Sequence, residues 1–388
     1  MRSHSLGGPL PGSRNLLLSV ARVAGLAAAM ALAACDSSVQ PLDPASPSVV
    51  ASKAQSATLG SYTVYATGLN SPRGLTFGPD GTLYVADEGA GGATSTVGLC
   101  EQVPAPVGPY LGGNSARITT VSPAMVQSTL VSGLPSTINA MGFVSGVSGL
   151  EFMDGSLYAI IDGAGCSHGH LDIPNEIVRV NTITGSLTPI ANLSAFYMSH
   201  PTLNPEPDDF EPDGTPYSMV GVRGDLYVVE ANHGSLDRVS LDGKITRVSD
   251  ISAQFGHIVP TTVSYHGNFF VGNLNPFPIV PGSSQIMKIA PSGNMKTWVS
   301  GVTAVLGSAW DSKGTLYVLE TTTDAGNPAP MTGKVLRVDP SGATTVITDG
   351  LFFPTAMTMG PDGNLYVSNV GFGPPPFGLG QVLKIQLN

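Results

Sequence analysis

Oxygen-bearing side chains recur at one fixed offset along this chain. Three residues beyond the aromatic of a repeated Gly-x-Leu-Tyr phrase stand Asp87, Glu230, Asn273, Glu320 and Asn369, with Ile161 followed by Asp162 at the remaining copy. Carboxylate and amide oxygens of this kind suit Ca²⁺, the one cofactor these residues suggest. The same groups at strand ends also bond neighbouring backbone, and both uses stay open. A second cluster, Cys166-Ser167-His168-Gly169-His170, offers soft-metal donors, but no fourth ligand follows at a recognisable spacing. The acidic run Glu206–Gly214 lacks the alternation of a calcium loop and reads as a solvated connection. Arg73 is expected to pair with Asp87 or Glu88. His200, His233, His257 and His266 are isolated, and no Gly-x-Ser-x-Gly elbow, phosphate loop or His-Glu-x-x-His is present.

The elements that must position these residues are strands. The phrase occurs at Gly81–Tyr84, Gly155–Tyr158, Gly224–Tyr227, Gly267–Phe270, Gly314–Tyr317 and Gly363–Tyr366, so its aromatic positions lie 74, 69, 43, 47 and 49 residues apart. An apolar strand precedes each phrase, as in 71–77, 146–152, 259–265 and 353–359. An alternating strand follows, as in 116–121, 176–180, 236–241, 285–289, 334–338 and 381–385. A further strand closes each unit, and Pro-Asp-Gly and Pro-Ser-Gly turns separate them. The last unit lacks its fourth strand, which 61–69 can supply from the other end of the domain. Residues 61–388 therefore read as one all-β, six-bladed β-propeller with four-stranded blades, its ring closed by an N-terminal strand. The loops between second and third strands (89–115, 162–174, 274–284, 321–333 and 370–380) are long and share one face, where a ligand or partner is expected.

Composition agrees. Glycine (48) and proline (32) make up about a fifth of 388 residues while charged residues supply 11%, which excludes an ordinary helical bundle. A hydrophobic share of 42% excludes disorder. Residues 1–34 contain Arg2, Arg14 and Arg22, no acid, and an apolar run from Val23 to Ala34. That run suits a signal-peptide core and is too short to span a bilayer. It ends in Leu32-Ala33-Ala34-Cys35, which resembles a bacterial lipobox with Cys35 as the lipidated residue. Residues 35–60, rich in Ser, Pro and Ala, then read as a flexible tether. The expected product is exported and held in the envelope, periplasmic or at the outer surface, by its N-terminal lipid. All 27 acids lie beyond Cys35 whereas three of the 17 bases precede it, leaving the remainder near −13. That balance speaks against nucleic acid, and a monomer is expected. With Cys35 taken by lipid, Cys100 and Cys166 remain, in equivalent loops of neighbouring blades within an oxidising compartment. A disulfide between them is expected.

SPRGLTFGPDGTLYVADEGAGG (71–92), the segment 260–289, GSAWDSKGTLYVLE (307–320) and 333–369 resemble the ScyD/ScyE family, related to NHL-type propellers. The resemblance runs in order through essentially all of 61–388. It implies a secreted propeller of unsettled molecular role and brings no catalytic residues with it. The leading expectation is a binding or interaction module of the cell envelope, its partner a small molecule or an envelope protein on the long-loop face. The alternative is a Ca²⁺-dependent lactone or ester hydrolase. Glu88, Glu151, Glu230, Asn232, Asn273, Glu320 and Asn369 would then supply funnel ligands for a carbonyl-polarising metal, although no general base stands out.

Overall fold

A computed structural model describes residues 60–371 and 378–387. Cys35, the apolar run before it and most of the tether lie outside them. Alternating strands with Gly turns build six sheets arranged as a six-bladed propeller. The inner strands are Pro72–Phe77, Val147–Met153, Pro216–Val222, Pro260–Tyr265, Val305–Trp310 and Ala356–Met359, numbered here as blades 1 to 6. Blade 6 is completed by Tyr62–Leu69, antiparallel to Gly380–Ile385 with Tyr62 opposite Ile385 and Leu69 opposite Gly380. This pairing joins the two ends of the domain and covers the edge that Gly380–Ile385 would otherwise expose.

The core lies between blades. Tyr84, Tyr158, Tyr317 and Tyr366 of the repeated phrase are buried there, and Tyr366 packs edge-on against Tyr65 and Phe77 at 4.9 and 4.8 Å. Around the axis, hydroxyls join successive inner strands. Ser148 donates to the Pro216 carbonyl (2.7 Å), Ser218 to Thr261 (2.9 Å), Thr261 to Val305 (2.5 Å) and Thr355 to Pro72 (2.6 Å). Each satisfies a carbonyl that the innermost strand cannot pair within its own sheet.

Blade 1 departs from the repeat. Its third strand begins at Leu111, inside the stretch read as loop, and pairs with a twelve-residue strand, Gln127–Ile138, followed by a short fifth strand, Val144–Ser145. Glycine permits this extension: a Cβ on Gly112 would sit 2.5 Å from the Gly169 carbonyl oxygen of blade 2. Two short helices also interrupt a pattern that reads as strands alone. Leu193–Ser199 and Ile251–Phe255 follow the fourth strands of blades 2 and 3, where Asn192 and Asp250 accept N–H bonds from Ala195 and Ala253.

Candidate functional site

The oxygen-bearing repeat positions each hold their own blade. Asp87 accepts the Asn70 N–H (3.0 Å) and pairs with Arg117 (2.7 Å). Glu230 accepts four backbone N–H groups, from Thr215, Asn232, His233 and Gly234. Asn273 bonds Gln285 N–H and the Ile258 carbonyl, Glu320 bonds Thr303 N–H and Lys334, and Asn369 accepts from Phe352 N–H. The common task is to fasten the end of the second strand to the chain entering the first. Among the described residues, no group of three or more His, Cys, Asp or Glu is arranged to hold a metal ion. Asn232 is likewise occupied, accepting from Glu211 N–H and donating to the Asp209 carbonyl. Cys100 and Cys166 are joined by a disulfide with Cα atoms 6.3 Å apart, so Cys166 and His168 do not act as a metal pair.

The position one residue further carries the chemistry. It reads Glu88, Asp162, Ala231, Leu274, Thr321 and Val370. In all six blades its N–H bonds a residue just ahead of the inner strand. Only blades 1 and 2 place acids here, and both acids are buried. Glu88 pairs with Arg73 at 2.9 Å, and the same guanidinium donates to the Tyr217 hydroxyl across the axis in blade 3. Burial pushes Glu88 up to about 8 even beside Arg73. Burial likewise holds the Asp162 carboxyl well above its usual range, with His168 and Arg73 too little to offset it. Its Oδ1 has no hydrogen-bond partner.

A second buried group adjoins it. His168 directs Nδ1 at the Ala164 carbonyl (2.8 Å) and Nε2 at Glu211 (3.1 Å). Both ring nitrogens face acceptors, so both carry protons and the ring is an imidazolium. Burial opposes that charge, but Glu211 pushes the ring up to about 9. Glu211 also accepts from Tyr110 (2.8 Å) and from Thr215. These donors and His168 overcome burial and hold it below its ordinary value.

Here the reading of 206–214 as solvated needs correction. Glu206, Glu211 and Asp213 are all less than 10% exposed. Asp213 accepts from the Ser167 N–H and hydroxyl (2.8 and 2.7 Å), tying this segment under the disulfide-bearing loop. Burial is tolerated because each carboxylate meets donors from other blades, which linear spacing does not display. His257, without a motif in the sequence, pairs with Glu206 at 2.5 Å. Burial raises Asp209, and the charges of Glu206 and Glu211 add to it, reaching about 7. Glu206 lies below its usual value because the His257 and backbone donors outweigh burial. One signal for part of this was available. Glu88 and Asp162 share a repeat position that is uncharged in the other four blades.

These groups border a cavity of about 620 Å³ on the long-loop face. Glu206, Asp209, Glu211 and His257 form one wall; Val107, Met141, Leu274 and Phe277 give it an apolar side.

No family model matches the chain, and no curated protein does. Among solved structures it is similar to a putative oxidoreductase (glucose dehydrogenase) from Thermus thermophilus, 17% identical, over 84% of this chain and all of that one, with a TM-score of 0.52. It is also similar to a structural genomics protein of unknown function from Bacteroides thetaiotaomicron, 11% identical over 82% of this chain and 70% of that one, TM-score 0.53. A gluconolactonase from Xanthomonas campestris is 11% identical over 84% of this chain and 89% of that one, TM-score 0.50. At these identities the likeness is one of fold: the six-bladed propeller.

Proposed function

We propose that this chain is an exported, lipid-anchored binding propeller, ScyD/ScyE-like in its repeats, which holds a small organic ligand on its long-loop face. The observation that carries the reading is the 620 Å³ cavity with carboxylates on one side and apolar side chains on the other. Its size suits a small molecule whose hydrogen-bond donors meet the carboxylates. Resorcinol and its dimethyl ether present the same ring with and without donors. By calorimetry, resorcinol should bind at least about 10-fold more tightly, a difference of roughly 1.4 kcal/mol, and Glu206→Gln should erase most of that preference. Equal binding of the two probes would overturn the reading.

The lactone or ester hydrolase remains the second reading, supported by one observation. Glu206 and Asp209 stand as neighbouring carboxyls on the wall of the long-loop cavity, the placement that an acid–base pair requires. Glucono-lactone hydrolysis followed by pH-stat, with and without Ca²⁺, separates the two. Turnover above the buffer rate that disappears in Asp209→Asn would replace the binding reading.

Anchoring is proposed on the lipobox alone. Cys35→Ala should release the protein from membranes, checked by fractionation and labelled-lipid incorporation. Unchanged membrane attachment would remove that part of the proposal.

A further inference from the structure

The connections on the long-loop face carry charge of one sign. Among the described residues none of them contains Lys or Arg, and every base lies on a strand or in a short turn. Glu101, Asp172, Asp208 and Asp324 are exposed on that face. The connections of blades 1 to 3 also shape a groove there. It consists of two hollows, of about 350 and 340 Å³, whose linings share Cys166, Met198 and Asp213. Neither hollow shares a lining residue with the 620 Å³ cavity.

The disulfide fixes where the groove lies. It ties the long loop of blade 1 to that of blade 2, and Glu101 lines the first hollow beside Cys100. The helix Leu193–Ser199 borders both hollows through Met198, which is 59% exposed. Leu171, equally exposed, and Ile173 line the second hollow and flank Asp172 in sequence. The two linings include His170 and His233 but no Lys or Arg. Arg247 reaches the Pro201 carbonyl at the first hollow from a strand of blade 3, and it is paired with Asp237. Apolar side chains left exposed together mark an interaction surface, and the acids beside them set the sign of its partner.

We propose that this groove docks a peptide segment of a partner protein in which Lys or Arg stands among aliphatic side chains. The aliphatic groups meet Leu171, Ile173 and Met198, and the cations meet Glu101 and Asp172. Other occupants fit less well. Between Cys35 and Gly60 the chain's own Asp36 and Asp43 outnumber Lys53, and Tyr62, opposite Ile385, enters the domain at the short-turn face. A second copy would present short turns that hold more acids than bases. An anionic bilayer is repelled by the acids. The groove adds a partner to the binding reading and is independent of the ligand proposed for the cavity.

Three end-blocked peptides, Lys-Leu-Lys-Leu-Lys, Lys-Ser-Lys-Ser-Lys and Glu-Leu-Glu-Leu-Glu, test the proposal on the full chain by calorimetry in about 0.1 M salt. The first should bind at least about 10-fold more tightly than either of the others. Glu101→Gln combined with Asp172→Asn should remove the preference over the acidic peptide. Met198→Ser should remove the preference over the serine peptide. Both variants should keep the wild-type unfolding midpoint, because the changed side chains are exposed. Glu206→Gln should leave all three affinities unchanged. Equal affinity for the three peptides, no measurable binding of the first, or undiminished preferences in both variants would each overturn the inference. A Glu206→Gln effect would move binding to the neighbouring cavity. Binding of phosphatidylglycerol vesicles that Met198→Ser abolishes would assign the groove to a membrane instead, and either result would overturn it as well.

Discussion

Replacing Glu211 with alanine is expected to lower stability by roughly 3–5 kcal/mol, because it strands a buried charge. The His168 imidazolium would lose its counter-ion, and the Tyr110 and Thr215 hydroxyls their acceptor. Glu211→Gln, which keeps an acceptor oxygen, should cost less. Urea unfolding at pH 7 measures both; a loss below about 1 kcal/mol for the alanine variant would show that the group is solvated after all.

The same group sets the pH dependence. His168 titrates at 6.5 in the unfolded chain and about 9 in the fold. Its contribution is therefore complete below 6.5 and fades as pH rises through 9. Glu88 acts in the same sense, holding its proton to about 8 when folded but releasing it near 4.5 when unfolded. In both cases the folded state binds more protons, so stability declines with rising pH. Glu211, lowered from 4.5, opposes this only in acid, where its contribution is lost as it protonates. The wild type should accordingly weaken steadily from about pH 6 to 9, and Glu211→Ala should show a shallower slope. A flat wild-type profile over that window would contradict the charge assignment.

Removing the disulfide is the second large effect. Cys100 and Cys166 are 66 residues apart, and restoring that much freedom to the unfolded chain costs roughly 4 kcal/mol. The bond also fastens the long loop of blade 1 to that of blade 2, whose residues 166–168 hold Asp213 and Glu211. The paired substitution Cys100→Ser with Cys166→Ser leaves no odd thiol. It should lower the urea midpoint by an amount equal to that produced by reducing the wild type. A change under about 1 kcal/mol in the variant would mean that the loops are held chiefly by their backbone contacts.

The repeat was legible because blades repeat a local physical solution. Gly81, Gly155 and Gly363 turn the chain with positive φ, and Leu83, Leu157 and Leu365 are each fully buried two residues later. Period-2 alternation states which side of each strand faces the next blade. The displaced closing strand was legible for the same reason, since an unpaired third strand at 381–385 has one complementary partner, at 61–69.

The site was legible only in part. Asp87, Glu230, Asn273, Glu320 and Asn369 stood out because they recur, and recurrence marks what every blade needs, which is a fastening for its own inner strand. Chemistry that occurs once cannot announce itself by repetition. Tyr110, His168, Glu211 and Thr215 come from three connections, with Tyr110 and Glu211 101 residues apart, and no spacing rule relates them.

The amino-acid sequence by itself determined the number of blades, the way the ring closes and the face that carries long loops, because these follow from local turns and side-chain alternation. It also carries Leu32-Ala33-Ala34-Cys35, on which the anchoring proposal rests and which needs no fold to be read. Only the tertiary structure decided which charges are buried. That depends on donors brought together from different blades, and on their balance against the loss of water. It turned the acidic run at 206–213, locally a solvated stretch, into the wall of a cavity.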